Sequence, residues 1–177
     1  MKLIILDRDG VINHDSMNYI KSPQEWLPIK GSLQAVADLT ALGFTIAVAT
    51  NQSGVSRGYY DLETLEKIHG KMCSLIAEKG GCIDKIWYCT HLPSQGCSCR
   101  KPEPGMLLNI ADYYQVDLSE VYFIGDRVTD IQAGLKAGAN PLLIESPMTE
   151  VQHLENYPQI ERFSSLASLV QAKFHED

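Results

Sequence analysis

Short β-branched or apolar runs alternate with longer stretches of helical periodicity along this chain, and that alternation restricts it to a parallel sheet covered by helices on both faces. The candidate strands are Leu3-Leu6, Thr45-Ala49, Ile83-Tyr88, Val121-Ile124 and Pro141-Ile144. Ser32 to Leu42 reads as a helix that stops at Gly43, a residue free to take the left-handed C-terminal conformation. Asp61 is a candidate N-cap for a helix whose Leu65, Ile68, Met72, Leu75 and Ile76 form one apolar stripe, ended by Gly80-Gly81. Gly105 to Tyr114 and Asp130 to Ala137 supply two more crossovers, and Ser165 to Phe174 a closing amphipathic helix. The expected architecture is a single three-layer, Rossmann-like α/β domain over residues 1–177. The segments Asp7 to Gly31 and Cys89 to Pro104 are too short to be domains, so no separate cap domain is expected and loops must cover any ligand. Ligands of open α/β sheets sit beyond the carboxyl ends of the strands, where the polar residues of this chain cluster.

Composition narrows the ligand. With 177 residues and 45% apolar content the chain can build one full core. A net charge of -7 offers no basic face to a nucleic-acid backbone, so a small molecule is the expected partner and nucleic acid is not. The opening MKLIIL is too short for a secretory signal, and no later run approaches the roughly 20 apolar residues that span a bilayer. A cytoplasmic protein without a membrane partner is expected, and, in the absence of a large apolar repeat, a monomer. In a reducing compartment five cysteines are not expected to pair, and spacing decides whether they bind metal.

Four polar clusters follow one another. The first strand runs into Asp7-Arg8-Asp9-Gly10, two carboxylates at a strand end that can share a Mg²⁺ while one attacks phosphorus and the other moves a proton. The second strand ends in Thr50-Asn51-Gln52-Ser53-Gly54, whose hydroxyl, amide and backbone donors suit phosphate oxygens. Arg100-Lys101 can neutralise charge developing on a transferring group. The fourth strand ends in Gly125-Asp126, with Asp130 four residues later; one carboxylate can complete a metal site and the other support it. Each cluster alone is compatible with a turn, a cap or a solvated patch. Three of the four follow an expected strand, so together they converge on one edge of the sheet.

Cys89, His91, Cys97 and Cys99 form a Cys-x-His-x5-Cys-x-Cys set, three thiols and an imidazole that match a closed tetrahedral zinc site. Four protein ligands leave no position for substrate, so the zinc is expected to be structural, stiffening the loop 89–104 that delivers Arg100 and Lys101. Cys73 and Cys82 stand outside the set. His14, His69, His153 and His175 lack ligand spacing and are expected on the surface or on helix faces, while Trp87 is expected in the core.

The segments D-R-D-G-V, T-N-Q-S-G, R-K-P and G-D-R-x-x-D resemble the four motifs of the haloacid dehalogenase superfamily of phosphohydrolases, and the resemblance covers nearly the whole chain. It implies a Mg²⁺-dependent phosphatase with Asp7 as nucleophile and Asp9 as general acid and base. Thr50 and Lys101 would hold the phosphoryl group, and Asp126 would bind Mg²⁺ with Asp7 and the main-chain carbonyl of Asp9. A receiver-type signalling domain also phosphorylates an aspartate, but its acceptor follows the third strand with no acid two residues on. A zinc-bearing interaction module would leave Asp7, Asp9 and Asp126 without a purpose.

Within the superfamily the zinc loop resembles two groups, the D-glycero-D-manno-heptose 1,7-bisphosphate phosphatases and the histidinol-phosphate phosphatases. The gap of five residues between His91 and Cys97 looks like the second group; N-Q-S-G-V-S-R-G at 51–58 and R-K-P-E-P-G-M-L at 100–107 look like the first. The heptose resemblance implies removal of the 7-phosphate, a step toward lipopolysaccharide core, with Asp15, Asn18 and Tyr19 also contacting substrate alongside Asn51, Gln52 and Ser53. A bisphosphate needs a second cationic anchor, which Arg57, Arg100 and Arg127 can provide. Arg127 stands where that group usually has lysine, and Met17 lengthens the substrate loop by one residue.

Overall fold

Alternation along the strands decides the layering. Ile4 and Leu6 point to one side of the sheet and Leu3 and Ile5 to the other, and Ile46 and Val48 oppose Ala47 and Ala49 in the same way. Both sides are therefore buried, as in a parallel sheet sandwiched by helices. The computed structural model describes residues 1–175. Along it run β1 (Leu3–Leu6), α1 (Ser32–Ala41), β2 (Thr45–Asn51), α2 (Leu62–Glu78), β3 (Lys85–Cys89), α3 (Gly105–Tyr114), β4 (Tyr122–Gly125), α4 (Val128–Ala137), β5 (Asn140–Ile144), β6 (Arg162–Phe163) and α5 (Leu166–Phe174). The six strands are parallel in the order β3-β2-β1-β4-β5-β6. Helices α1, α2 and α5 cover the face around Ile4, Leu6, Trp26 and Ile124; α3 and α4 cover the face around Ile5, Ala49 and Phe123.

The chain leaves β1 toward β2 and β3, then returns to the opposite side of β1 for β4, β5 and β6. This reversal opens a crevice between β1 and β4 at their carboxyl ends, where the register places Leu6 beside Ile124. Between β1 and α1 the described chain makes only isolated bridges and one short 3-10 turn at Pro23–Glu25, so no cap domain stands over the crevice. No helix among the described residues is long and apolar enough to cross a membrane.

The caps follow the sequence. The Asp61 side chain accepts from Thr64 N at 2.8 Å at the start of α2, and Ser165 accepts from Ser168 N at 3.0 Å before α5. Several element ends shift by one or two residues from the sequence expectation, as for β2, which runs on to Asn51, and α4, which starts at Val128. The third strand begins at Lys85, two residues later than Ile83, because its pairing with β2 starts there. The two-residue β6 has too little pattern to be read. Trp87 lies half-buried on the edge strand against Tyr113 and Tyr114, and Trp26 instead is the fully buried tryptophan.

Candidate active site

Three strand ends meet at the crevice. β1 continues into Asp7, whose N–H donates to Ile124 O at 2.8 Å, so the sheet register itself sets this carboxylate beside the end of β4. Asp126 follows β4 directly, and Thr50 lies in the last residues of β2. Carboxylate oxygens of Asp7, Asp126 and Asp130 lie within 4.8 Å of one another, all on buried residues. Two glycines permit this approach. A Cβ on Gly10, which has a φ of +82°, would stand 1.9 Å from Asp126 Oδ2, and one on Gly125 would stand 2.3 Å from Asp130 Cβ.

Lys101 closes the cluster, with Nζ 2.7 Å from Asp130 Oδ1, 3.1 Å from Asp7 Oδ1, and donating to Ala49 O at 3.0 Å. Burial alone would lower its pKa, but Asp130 and Asp7 outweigh burial and hold it above the usual lysine value. Both oxygens of Asp130 are committed, Oδ1 to Lys101 and Oδ2 to the N–H groups of Asp126 (3.1 Å) and Arg127 (3.0 Å) at the start of α4. Asp126 differs: its Oδ2 accepts from Ser146 Oγ at 2.6 Å, while Oδ1 is buried without a partner. Burial first, and the charge of Asp130 next, push its pKa up to about 8; the same two causes raise Asp7. Carboxylates this costly to ionise side by side suit a divalent cation. The main-chain carbonyl of Asp9 accepts no hydrogen bond among the described residues, so it and the free oxygen of Asp126 are available to Mg²⁺.

The Asp9 carboxylate has other partners. Its Oδ1 accepts from Arg8 Nε and Asn13 Nδ2, both at 2.9 Å, and its Oδ2 from Gln52 Nε2 at 3.2 Å. Gln52 Nε2 also donates to Thr50 Oγ1 at 2.8 Å, which leaves the threonine proton free to donate into the crevice. Asn51 pins Lys101 from across the loop, its amide donating to Lys101 O and its carbonyl accepting from Lys101 N, each at 3.1 Å.

From the last residue of β3 onward the four residues of the Cys/His motif come together. His91 Nδ1 lies 3.3 Å from Cys89 Sγ and 3.1 Å from Cys99 Sγ, and Cys89 Sγ lies 3.7 Å from Cys97 Sγ and 2.7 Å from Cys99 Sγ. Three thiols and one imidazole around a single point fit a closed zinc site. Arg100 hangs from it, with N–H donating to Cys97 Sγ and Nη1 to His91 O, both at 3.4 Å.

Residues 98–171 match the HAD-hydrolase-like family model. A D-glycero-β-D-manno-heptose-1,7-bisphosphate 7-phosphatase from Pseudomonas putida is 56% identical over 146 residues, covering 82% of this chain and 83% of the relative. The protein of the same description from Pseudomonas aeruginosa is 52% identical over 144 residues, covering 81% of each. The crystal structure of a D,D-heptose 1,7-bisphosphate phosphatase from B. bronchiseptica, complexed with magnesium and phosphate, matches with a TM-score of 0.89 and 44% identity over 97% of both chains. The chain belongs to the heptose-bisphosphate 7-phosphatase family of HAD-like hydrolases.

In this member of the heptose-bisphosphate phosphatase family the remaining sequence-expected residues, Asn18 excepted, divide between two adjoining hollows. A hollow of about 190 Å³ is lined by Asp7, Asp9, Thr50, Asn51, Lys101 and Asp126, with Asp15, Arg100 and Arg127 at its side. A second, of about 240 Å³, shares Asp15, Arg100 and Arg127 and adds Tyr19, Gln52, Ser53 and Arg57. Asn18 lies outside both, in a neighbouring depression with Met17, Tyr19 and Tyr59. Arg127 is braced by Glu150, which also accepts from Val128 N at 2.8 Å. Tyr60 is buried and donates to Gln52 Oε1 at 2.6 Å; Tyr59 stays exposed against Tyr19.

Ser146, Thr149 and His69 carry no sequence motif, and Arg8 lies inside one without a role of its own. Ser146 and Thr149 follow β5 and hold Asp126, the first by its carboxylate and the second by its main-chain carbonyl at 2.5 Å. Their one signal was position, just past a strand on the active edge. Arg8 is fully buried behind Asp9, and His69, expected on the surface or on a helix face, lies on the inner face of α2, 7% exposed, with Nε2 at 3.1 Å from Arg8 Nη1. Burial and the Arg8 charge push the His69 pKa down to about 3, so the ring is neutral.

Proposed function

We propose that this chain hydrolyses the 7-phosphate of D-glycero-β-D-manno-heptose 1,7-bisphosphate through an aspartyl phosphate on Asp7. The convergence of Asp7, Lys101 and Asp126 at the carboxyl ends of β1 and β4 carries the reading. Mg²⁺, held by Asp7, Asp126 and the Asp9 carbonyl, would supply charge neutralisation for the phosphoryl oxygens. Lys101 and the free hydroxyl proton of Thr50 hold the phosphoryl group, and the Asp7 carboxylate attacks phosphorus as the bond to the sugar O7 breaks. Asp9 gives its proton to that oxygen, which leaves as the alcohol. Asp9 Oδ2, which has a single 3.2 Å donor where Oδ1 has two at 2.9 Å, is the oxygen that carries the proton. Asp9 then takes a proton from water, the hydroxide attacks phosphorus, and inorganic phosphate and the Asp7 carboxylate are released.

A catalytic hollow of about 190 Å³ lies below the ~300 Å³ at which whole-ligand pockets usually begin, so it suits the reacting phosphoryl end. The sugar and its 1-phosphate extend into the second hollow, where Arg57, Arg100 and Arg127 supply the cations a second phosphate requires. Histidinol phosphate has no second phosphate to meet them. The enzyme works as a cytoplasmic monomer, one domain across residues 1–177, and a reducing compartment suits five cysteines of which none is paired in a disulfide.

The test is phosphate release with Mg²⁺ from the α and β anomers of the heptose bisphosphate and from histidinol phosphate, with Asp7→Asn as blank. The expected kcat/KM is at least ~100-fold higher on the β anomer than on histidinol phosphate, about 2.7 kcal/mol in transition-state binding. A preference for histidinol phosphate or for the α anomer, or release that survives Asp7→Asn, overturns the assignment.

A further inference from the structure

We infer that Arg8 and His69 form a positioning relay that fixes the Asp9 carboxylate so that Oδ2 alone faces the departing sugar oxygen. Arg8 is fully buried, and a buried guanidinium is costly to stability unless its donors are met. Here they are met incompletely: Nε donates to Asp9 Oδ1 at 2.9 Å and Nη1 to His69 Nε2 at 3.1 Å, while Nη2, also 2.9 Å from Asp9 Oδ1, has no aligned hydrogen bond. A methionine or leucine would fill the same space without that cost, so packing does not account for an arginine at this place.

The geometry accounts for it. Two arginine nitrogens and Asn13 Nδ2 all converge on Oδ1 of Asp9, and they hold the carboxylate plane in one orientation. Guanidinium has no acceptor, so the ring nitrogen facing it must be the acceptor, and His69 carries its proton on Nδ1. His69 thus anchors the far end of Arg8 to α2, as Tyr60 anchors Gln52 on the other side of the same carboxylate. Neither Arg8 nor His69 lines the two hollows of the site.

The inference rests on Asp9 being the proton donor, and the experiment separates the two. The first-turnover rate is measured for Asp9→Asn, Arg8→Met, Arg8→Lys, His69→Leu and His69→Gln on the heptose bisphosphate, whose alkoxide needs a proton, and on p-nitrophenyl phosphate, whose phenolate does not. Arg8→Met is expected to slow the sugar reaction about 100-fold with KM unchanged, as misplacement of a catalytic group does, and to change the nitrophenol burst less than about 5-fold. His69→Leu is expected to show the same split, about 10-fold in size, with His69→Gln, which restores an acceptor, recovering most of it. Equal losses on both substrates, or a loss confined to KM or thermal stability, would mean that Arg8 and His69 are ordinary structural residues. If Asp9→Asn itself shows no leaving-group split, the fault lies in the role given to Asp9. Should Arg8→Met not fold, the His69 pair decides alone.

Discussion

Asp126 and Asp130 carry the same functional group four residues apart, yet their hydrogen bonds give them different work. Asp130 has both oxygens occupied, by Lys101 and by two main-chain N–H groups, so it orients the cluster and cannot also take a cation without surrendering them. Asp126 keeps Oδ1 free because Ser146 occupies Oδ2. Replacing that donor should let the carboxylate rotate and weaken the cation: Ser146→Ala is expected to raise the Mg²⁺ dissociation constant about 10-fold, followed calorimetrically, at a stability cost of only about 1 kcal/mol. An unchanged Mg²⁺ affinity would remove Ser146 from the metal site. The serine was not legible as functional in E-S-P-M-T-E, since hydroxyls after a strand serve turns equally well. Asp7, Asp9 and Asp126 stood out as candidates, because a carboxylate at a strand end is already placed by the strand.

The zinc loop shows which elements a sequence discloses. All four candidate ligands lie within eleven consecutive residues, so their spacing alone points to a metal site, whereas Arg8 meets His69 across 61 positions and only folding brings them together. The same distinction explains why α2, with its apolar stripe and Asp61 cap, was readable while the two-residue β6 was not. The loop is also tied to α3: Gly105 N donates to Ser98 O at 2.8 Å, and a Cβ on Gly105 would stand 2.2 Å from that oxygen. Its fold therefore sets both the start of α3 and the reach of Arg100, while Lys101 has an independent hold on Asn51. Cys99→Ser is accordingly expected to lose its zinc in metal analysis and to lower Tm by more than about 10 °C. KM for the bisphosphate should rise more than KM for p-nitrophenyl phosphate, because the anchor for the second phosphate loosens first. Equal changes in both KM values would mean that the loop serves stability alone.

At the scale of the whole molecule, the sheet gathers more negative charge at its active edge than the bare fold can hold ionised. Asp126 keeps its proton up to about pH 8 when folded, through burial and then Asp130, but releases it near the ordinary value of 3.8 when unfolded. Between those limits the native state binds more protons than the unfolded chain, so stability falls as pH rises through the window and levels above it. Asp7 is raised in the same direction and adds to the slope. Protein depleted of Mg²⁺ but retaining zinc should thus lose about 5 °C or more of Tm between pH 5 and pH 8. Mg²⁺ binds the deprotonated carboxylates, so its stabilising effect should grow over that same interval and proton release should accompany its binding. Asp126→Asn, which cannot titrate, should make the Mg²⁺-free profile shallower, leaving the part that Asp7 contributes. A profile that is level or rising in the wild type, or one whose slope Asp126→Asn leaves undiminished, would place the repulsion elsewhere in the molecule and leave the cation without the electrostatic role assigned to it.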